Sequence, residues 1–147
     1  MRTLALVFVL LAVAAAPGLA ADAFVGTVKS FAGPVEIVRG SSTLQAQPGM
    51  RLEEKDIVKT GSSASIGFIL RDGTRISLGP ESEVSVESFL FNPAQDQLGL
   101  VVKLLRGVAA FVSGKIAQLS PGSAKVETPV GVIGLRGTKF AVALGID

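Results

Sequence analysis

Turn-forming pairs punctuate this chain at short intervals. Gly33-Pro34, Gly61-Ser62, Asp72-Gly73, Arg106-Gly107 and Pro121-Gly122 each stop a run rich in Val, Ile, Leu or Phe. Runs this short, with 17 glycines among 147 residues, leave little room for ordinary helices and favour many short strands. Residues 24–31 alternate and stop at Gly33-Pro34. Residues 35–39 follow, with Val35, Ile37 and Arg39 on one face and Glu36 and Val38 on the other. A short strand is expected near Leu44 and another over 56–60. "ASIGFILRDGTRISLG" reads as two strands around Asp72-Gly73, a pair suited to the two positive-φ positions of a type I′ turn. Residues 83–91 alternate, placing Val84, Val86 and Ser88 opposite Ser85, Glu87 and Phe89.

The stretch 98–112 carries apolar residues at 98, 101, 102 and 105, a spacing that also fits a helix. Gly99 and Gly107 each disfavour a helix by about 1 kcal/mol relative to Ala, and the Val content favours strands. The expectation is a strand over 98–105, a turn at Arg106-Gly107 and a strand over 108–112. "GKIAQLSPG" allows a single helical turn. The fold class expected is therefore all-β, a jelly-roll-like β-sandwich of short strands joined by tight turns.

The first 23 residues have the layout of a secretory signal peptide. Arg2 is the charged start, Leu4 to Ala16 an apolar run too short for a membrane span, and small residues surround Ala20 and Ala23, the two candidate cleavage points. Residues 24–147 then form a single domain, expected in the periplasm or secreted and without a membrane span once the leader is removed. Removal of the leader leaves a formal net charge of +1 for cleavage after Ala20, and of +2 for cleavage after Ala23, which also removes Asp22. No basic cluster stands out, which argues against nucleic acid as a partner. The absence of cysteine means the core must hold without disulfides, which this length permits.

The chain also lacks His, Trp and Tyr. That removes the usual zinc ligands, the base of a nucleophilic triad and the aromatic platforms that stack sugars. The carboxylate groups Glu81/Glu83 and Glu53/Glu54/Asp56 lie in polar turns and read as solvated surface rather than acid–base pairs. Ser62, Ser63 and Ser65 have no histidine to activate them, and "GPESE" offers too few ligands for calcium. No catalytic residue, cofactor or metal is expected.

"TPVGVIGLRGTKFAV", Thr128 to Val142, spaces Gly131, Gly134 and Gly137 by three around a lone cation, Arg136. The spacing matches neither a dinucleotide fingerprint nor a P-loop, and the residues that follow read as a strand. Glycine here lets a closing strand bend and approach another backbone. Arg136 is expected as a structural cation inside that strand. Its planar fork of donors would reach an earlier carboxylate, Asp56 first and Asp72 second, past the space left by Gly134 and Gly137.

An ordered set of motifs resembles the FecR-type periplasmic domain. The set comprises Gly49, Asp56, Thr60-Gly61, Asp72-Gly73-Thr74, Gly107, Thr128-Pro129 and Arg136-Gly137-Thr138, and spans about 115 residues. The resemblance implies a jelly-roll-like sandwich without catalytic residues. Its best-understood members are periplasmic parts of iron-uptake regulators, which pass a signal from an outer-membrane transporter to a cytoplasmic sigma factor. This chain is expected to be a free-standing domain of that type, a protein-interaction or regulatory module whose partner is another envelope protein. The alternative expectation is a structural protein associated with the cell envelope or with polysaccharide.

Overall fold

The computed structural model describes residues 24–136 and 139–145. Gly137, Thr138, residues 146–147 and residues 1–23, where the signal peptide is expected, lie outside the described residues. The fold is all-β and sandwich-like. One sheet has six strands in the order β13 (Lys139–Ala143), β10 (Val108–Val112), β7 (Arg75–Leu78), β6 (Ser65–Leu70), β1 (Phe24–Ala32) and β4 (Arg51–Glu53). The other has seven: β12 (Gly131–Gly134), β11 (Ala124–Thr128), β9 (Gln97–Arg106), β8 (Glu83–Asn92), β5 (Ile57–Thr60), β2 (Val35–Arg39) and β3 (Ser42–Gln45). Among the described pairings only β9 with β11 is parallel. A five-residue helix, α1 (Lys115–Leu119), carries the chain from β10 in one sheet to β11 in the other.

Period-2 alternation builds the core. In β6 the residues Ile66, Phe68 and Leu70 are buried, while Ser65, Gly67 and Ile69 face outward; β7 and β10 alternate in the same way. Opposite them the seven-stranded sheet presents Ile37, Val58, Val84, Leu100, Val102, Leu104 and Val126, all buried. Each such side chain contributes about 1.5–3 kcal/mol when fully buried, so the sandwich is held chiefly by this layer. Phe111 stacks on Phe140 with ring centroids 5.1 Å apart, extending the core toward β13.

The region 98–112 forms two strands and the segment 115–119 a helical turn, as alternation and the glycines predict. Four details differ. The closing stretch is not one strand: β12 ends the seven-stranded sheet and β13 ends the six-stranded one, and Leu135 and Arg136 follow β12 at the crossing. Residues 51–53 form β4, which is too short to show a period. In β8 the register shifts between Val86 and Ser88. That bulge returns Phe89 to the core beside Val84 and Val86, where strict alternation would place it outside.

The fourth difference is the hairpin turn. Gly73 has φ +90°, but Asp72 is not among the residues with positive φ, so the type I′ expectation is corrected. The Gly73 amide donates to the Leu70 carbonyl at 3.0 Å and the Leu70 amide to the Thr74 carbonyl at 2.8 Å. This is a type I turn followed by a left-handed glycine. Asp72 stays out of the left-handed region because its carboxylate accepts from the Thr74 amide two residues on, at 3.0 Å. No atom lies within 4 Å of a Cβ built at Gly73, so any cost of a side chain there is backbone strain alone. Gly73→Val is expected to lower unfolding free energy by roughly 1–3 kcal/mol in urea titration. An unchanged midpoint would contradict the turn assignment.

Candidate functional site

Asp56 lies just before β5 and is 3% exposed. Its carboxylate is held from two directions. Arg39, the last residue of β2, donates through Nε to Oδ1 at 3.0 Å and through Nη2 to Oδ2 at 2.7 Å, a bidentate pair. The Glu53 amide donates to Oδ2 at 2.8 Å. The same Nη2 reaches the Arg51 carbonyl at 3.1 Å, and Glu53 approaches Nε at 3.4 Å. Arg39 and Asp56 thus link β2 and β5 of one sheet to β4 of the other. The hydrogen bond to Asp56 raises the Arg39 pKa above its ordinary value against the opposing effect of burial, so the cation persists at every accessible pH.

The other motif residues are also spent on structure. Asp72 is 2% exposed; its carboxylate accepts from Thr74 Oγ1 at 2.8 Å and from the Ile116 amide at 3.2 Å, besides the Thr74 amide. The Lys115 amide donates to the Asp72 carbonyl at 2.9 Å, so a hairpin turn caps α1 across 44 residues. Gly114 precedes the helix because a Cβ there would fall 2.3 Å from the Thr74 amide nitrogen. Thr60 Oγ1 donates to the Gly79 carbonyl at 2.7 Å and accepts from the Ser82 amide at 2.9 Å. Ser82, fully buried, accepts from the Val108 amide at 2.9 Å. The grouped acids near Asp56 are engaged likewise: Glu54 accepts from the Phe89 amide at 2.8 Å, inside the β8 bulge region.

These contacts correct the expected role of Arg136. It is exposed, and among the described residues its side chain meets neither Asp56, whose oxygens Arg39 occupies, nor Asp72, whose oxygens the turn and α1 occupy. Its place outside both strands explains this: the closing stretch buries Leu135, 1% exposed, and turns Arg136 outward. Arg39 was the partner that the expectation overlooked. The signal was present, since alternation sets Arg39 on the face of Val35 and Ile37, the buried one.

What remains unoccupied is one flank of the sandwich. Thr128 and Pro129 form the β11–β12 turn, where Thr128 Oγ1 donates to the Gly131 carbonyl at 2.9 Å. Beside it Val130 is 88% exposed and Val132 is 64% exposed. A groove of about 440 Å³ runs between Leu105, Pro129, Val130 and Leu144. A second of about 240 Å³ shares Leu105 and Pro129 with it. Among the described residues no strand pairs with the outer edge of β12 or of β13. Gly134 bounds β12 in open space. Among the described residues no group of His, Cys, Asp or Glu side chains is placed to hold a metal ion.

A family model described as FecR protein matches residues 56–146. The chain belongs to the FecR family. Searches of curated proteins and of solved structures return no match. FecR domains are periplasmic sensory and regulatory domains of anti-sigma regulators. The matched stretch of this FecR domain opens on Asp56 and includes the Asp72 turn, the Ser82 contacts and the whole flank. Among the described residues no helix is long and apolar enough to cross a membrane.

The Arg39–Asp56 pair makes a direct prediction. Arg39→Met and Asp56→Asn should each cost about 2–4 kcal/mol, less than a fully buried pair because the Arg39 side chain is 32% exposed. A double-variant cycle should show coupling above about 1 kcal/mol, whereas Arg136→Met should stay within about 0.5 kcal/mol of the parent. Denaturant unfolding of the parent and the four variants checks this.

Proposed function

We propose that this FecR domain is an exported, non-catalytic module that binds another envelope protein through the β12–β13 flank. The observation that carries the reading is the coincidence of two unpaired strand edges with an exposed apolar groove. Sheet edges are usually blunted by charge, proline or a bulge. β12 carries no charge and β13 only Lys139. An extended partner segment adding to either edge would gain backbone hydrogen bonds, with Val130, Val132 and Leu105 supplying apolar contact. A polysaccharide-binding reading has less support, because the flank offers no aromatic platform. The motif carboxylates serve the scaffold, which leaves the flank as the surface free to signal.

Two measurements test this. The intact mass of the exported chain should correspond to a start at Ala21 or Phe24. Val130→Asp/Val132→Asp should unfold at the parent's midpoint yet lose crosslinking to its envelope partner by roughly tenfold or more, the scale of losing a buried apolar contact pair. Equal crosslinking by parent and variant would remove the flank from the account.

A further inference from the structure

The two sheets balance their charges differently. On the seven-stranded sheet four of the five strand cations meet a carboxylate. Arg39 pairs with Asp56, Lys59 with Glu83 at 3.8 Å, Lys103 with Glu87 at 3.9 Å and Lys125 with Glu127 at 3.2 Å. The six-stranded sheet has no such balance. β1, β6, β7, β10 and β13 contain no Asp or Glu, yet they carry Lys29, Arg75 and Lys139. All three are exposed, and none has a carboxylate within ion-pair distance among the described residues.

These cations share one face. Arg75 sits opposite Val112, and Val112 opposite Lys139, in a single cross-strand row. Lys29 occupies the register shift of β1 between Val28 and Ser30, a bulge that leaves both Lys29 and Ser30 exposed. A groove of about 290 Å³ is lined by Lys29, Gly67, Arg75 and Ser77. It continues into another of about 350 Å³ that shares Gly67 and Ser77 and adds Ser30. The trough is therefore low in the middle, rimmed by cations and furnished with hydroxyls.

Spacing and composition select the occupant. Each cation lies two strands from the next in the order β13, β10, β7, β6, β1, which is about 10 Å at ~4.8 Å per strand. A polyproline II chain repeats every three residues at 3.1 Å each, so carboxylates three residues apart recur on one side at about 9 Å. A glycan or a single-stranded nucleic acid would want exposed aromatic stacking groups; the chain has no Trp or Tyr, and of the phenylalanines that line the two grooves Phe68 is buried and Phe31 packs against the core. A membrane surface would want an aromatic anchor free to enter it, whereas Phe31, which lines this trough, is packed against the core.

We propose that the outer face of the six-stranded sheet binds an extended acidic polypeptide segment of polyproline II form. Its carboxylates, three residues apart, sit on Lys29, Arg75 and Lys139. This surface uses side chains of the sheet face, not the backbone edges of the flank, so either site stands without the other.

The test titrates the exported chain against a fluorescent (Glu-Pro-Pro)₄ peptide by anisotropy at low and high salt. The expected result is saturable binding that weakens steeply as salt rises. Lys29→Gln/Arg75→Gln/Lys139→Gln should bind roughly tenfold more weakly, as expected for three exposed charge contacts. Lys59→Gln/Lys103→Gln, on the other sheet, should bind as the parent does, and both variants should keep the parent's thermal midpoint. Absence of binding at low salt, equal binding of (Gln-Pro-Pro)₄, or parent-like binding by the triple variant would each overturn the proposal. Tighter binding of a polyuronate or of anionic vesicles, dependent on the same three cations, would overturn the assignment of the partner as a polypeptide.

Discussion

The carboxylate of Asp72 is the contact on which the second half of this sandwich depends. It is buried, and among the described residues no cation pairs with it. A charge in that position persists only if hydrogen bonds replace its water. Three do so: the Thr74 amide and hydroxyl and the Ile116 amide. The last belongs to the positive end of α1, which favours an anion further. The parallel pairing of β11 with β9 requires a crossover connection, which here runs through β10 of the other sheet and returns by α1. Fixing where α1 starts therefore fixes where β11, β12 and β13 lie.

The same economy appears at the other crossings. Asp56 and Arg39 join the sheets near β4, and Thr60 and Ser82 do so near the start of β8. Each is a buried polar contact placed where the chain leaves one sheet for the other, so that backbone groups which cannot join a ladder still find partners. The apolar layer provides most of the stability and the polar contacts fix which strand goes where. A frame held in this way can carry two unpaired edges at one end without losing register. The flank is therefore both exposed and fixed.

Much of this was legible in the sequence. Turn pairs and alternation located most strands, and Asp72-Gly73-Thr74 was recognisable as a unit. Its capping role was not, because α1 lies 44 residues further on and only pairing brings them together. The β8 bulge was invisible, since one extra residue inverts the faces without changing composition. The closing stretch misled because Gly134 and Arg136 look alike in a bent strand and in a crossing between sheets. The uncompensated cations of the outer face were present in plain view as Lys29, Arg75 and Lys139. Their shared surface appears only when strands remote in sequence are assigned to one sheet.

Amide hydrogen exchange of Asp72→Ala, compared with the parent residue by residue, reads out whether Asp72 anchors the crossing. Exchange should be faster at Lys115 and Ile116 and through β11, β12 and β13, while β1, β5 and β8 keep their protection. Unchanged protection in α1 and β11, or a uniform loss across both sheets, would contradict the assignment of Asp72 as the anchor of the crossing.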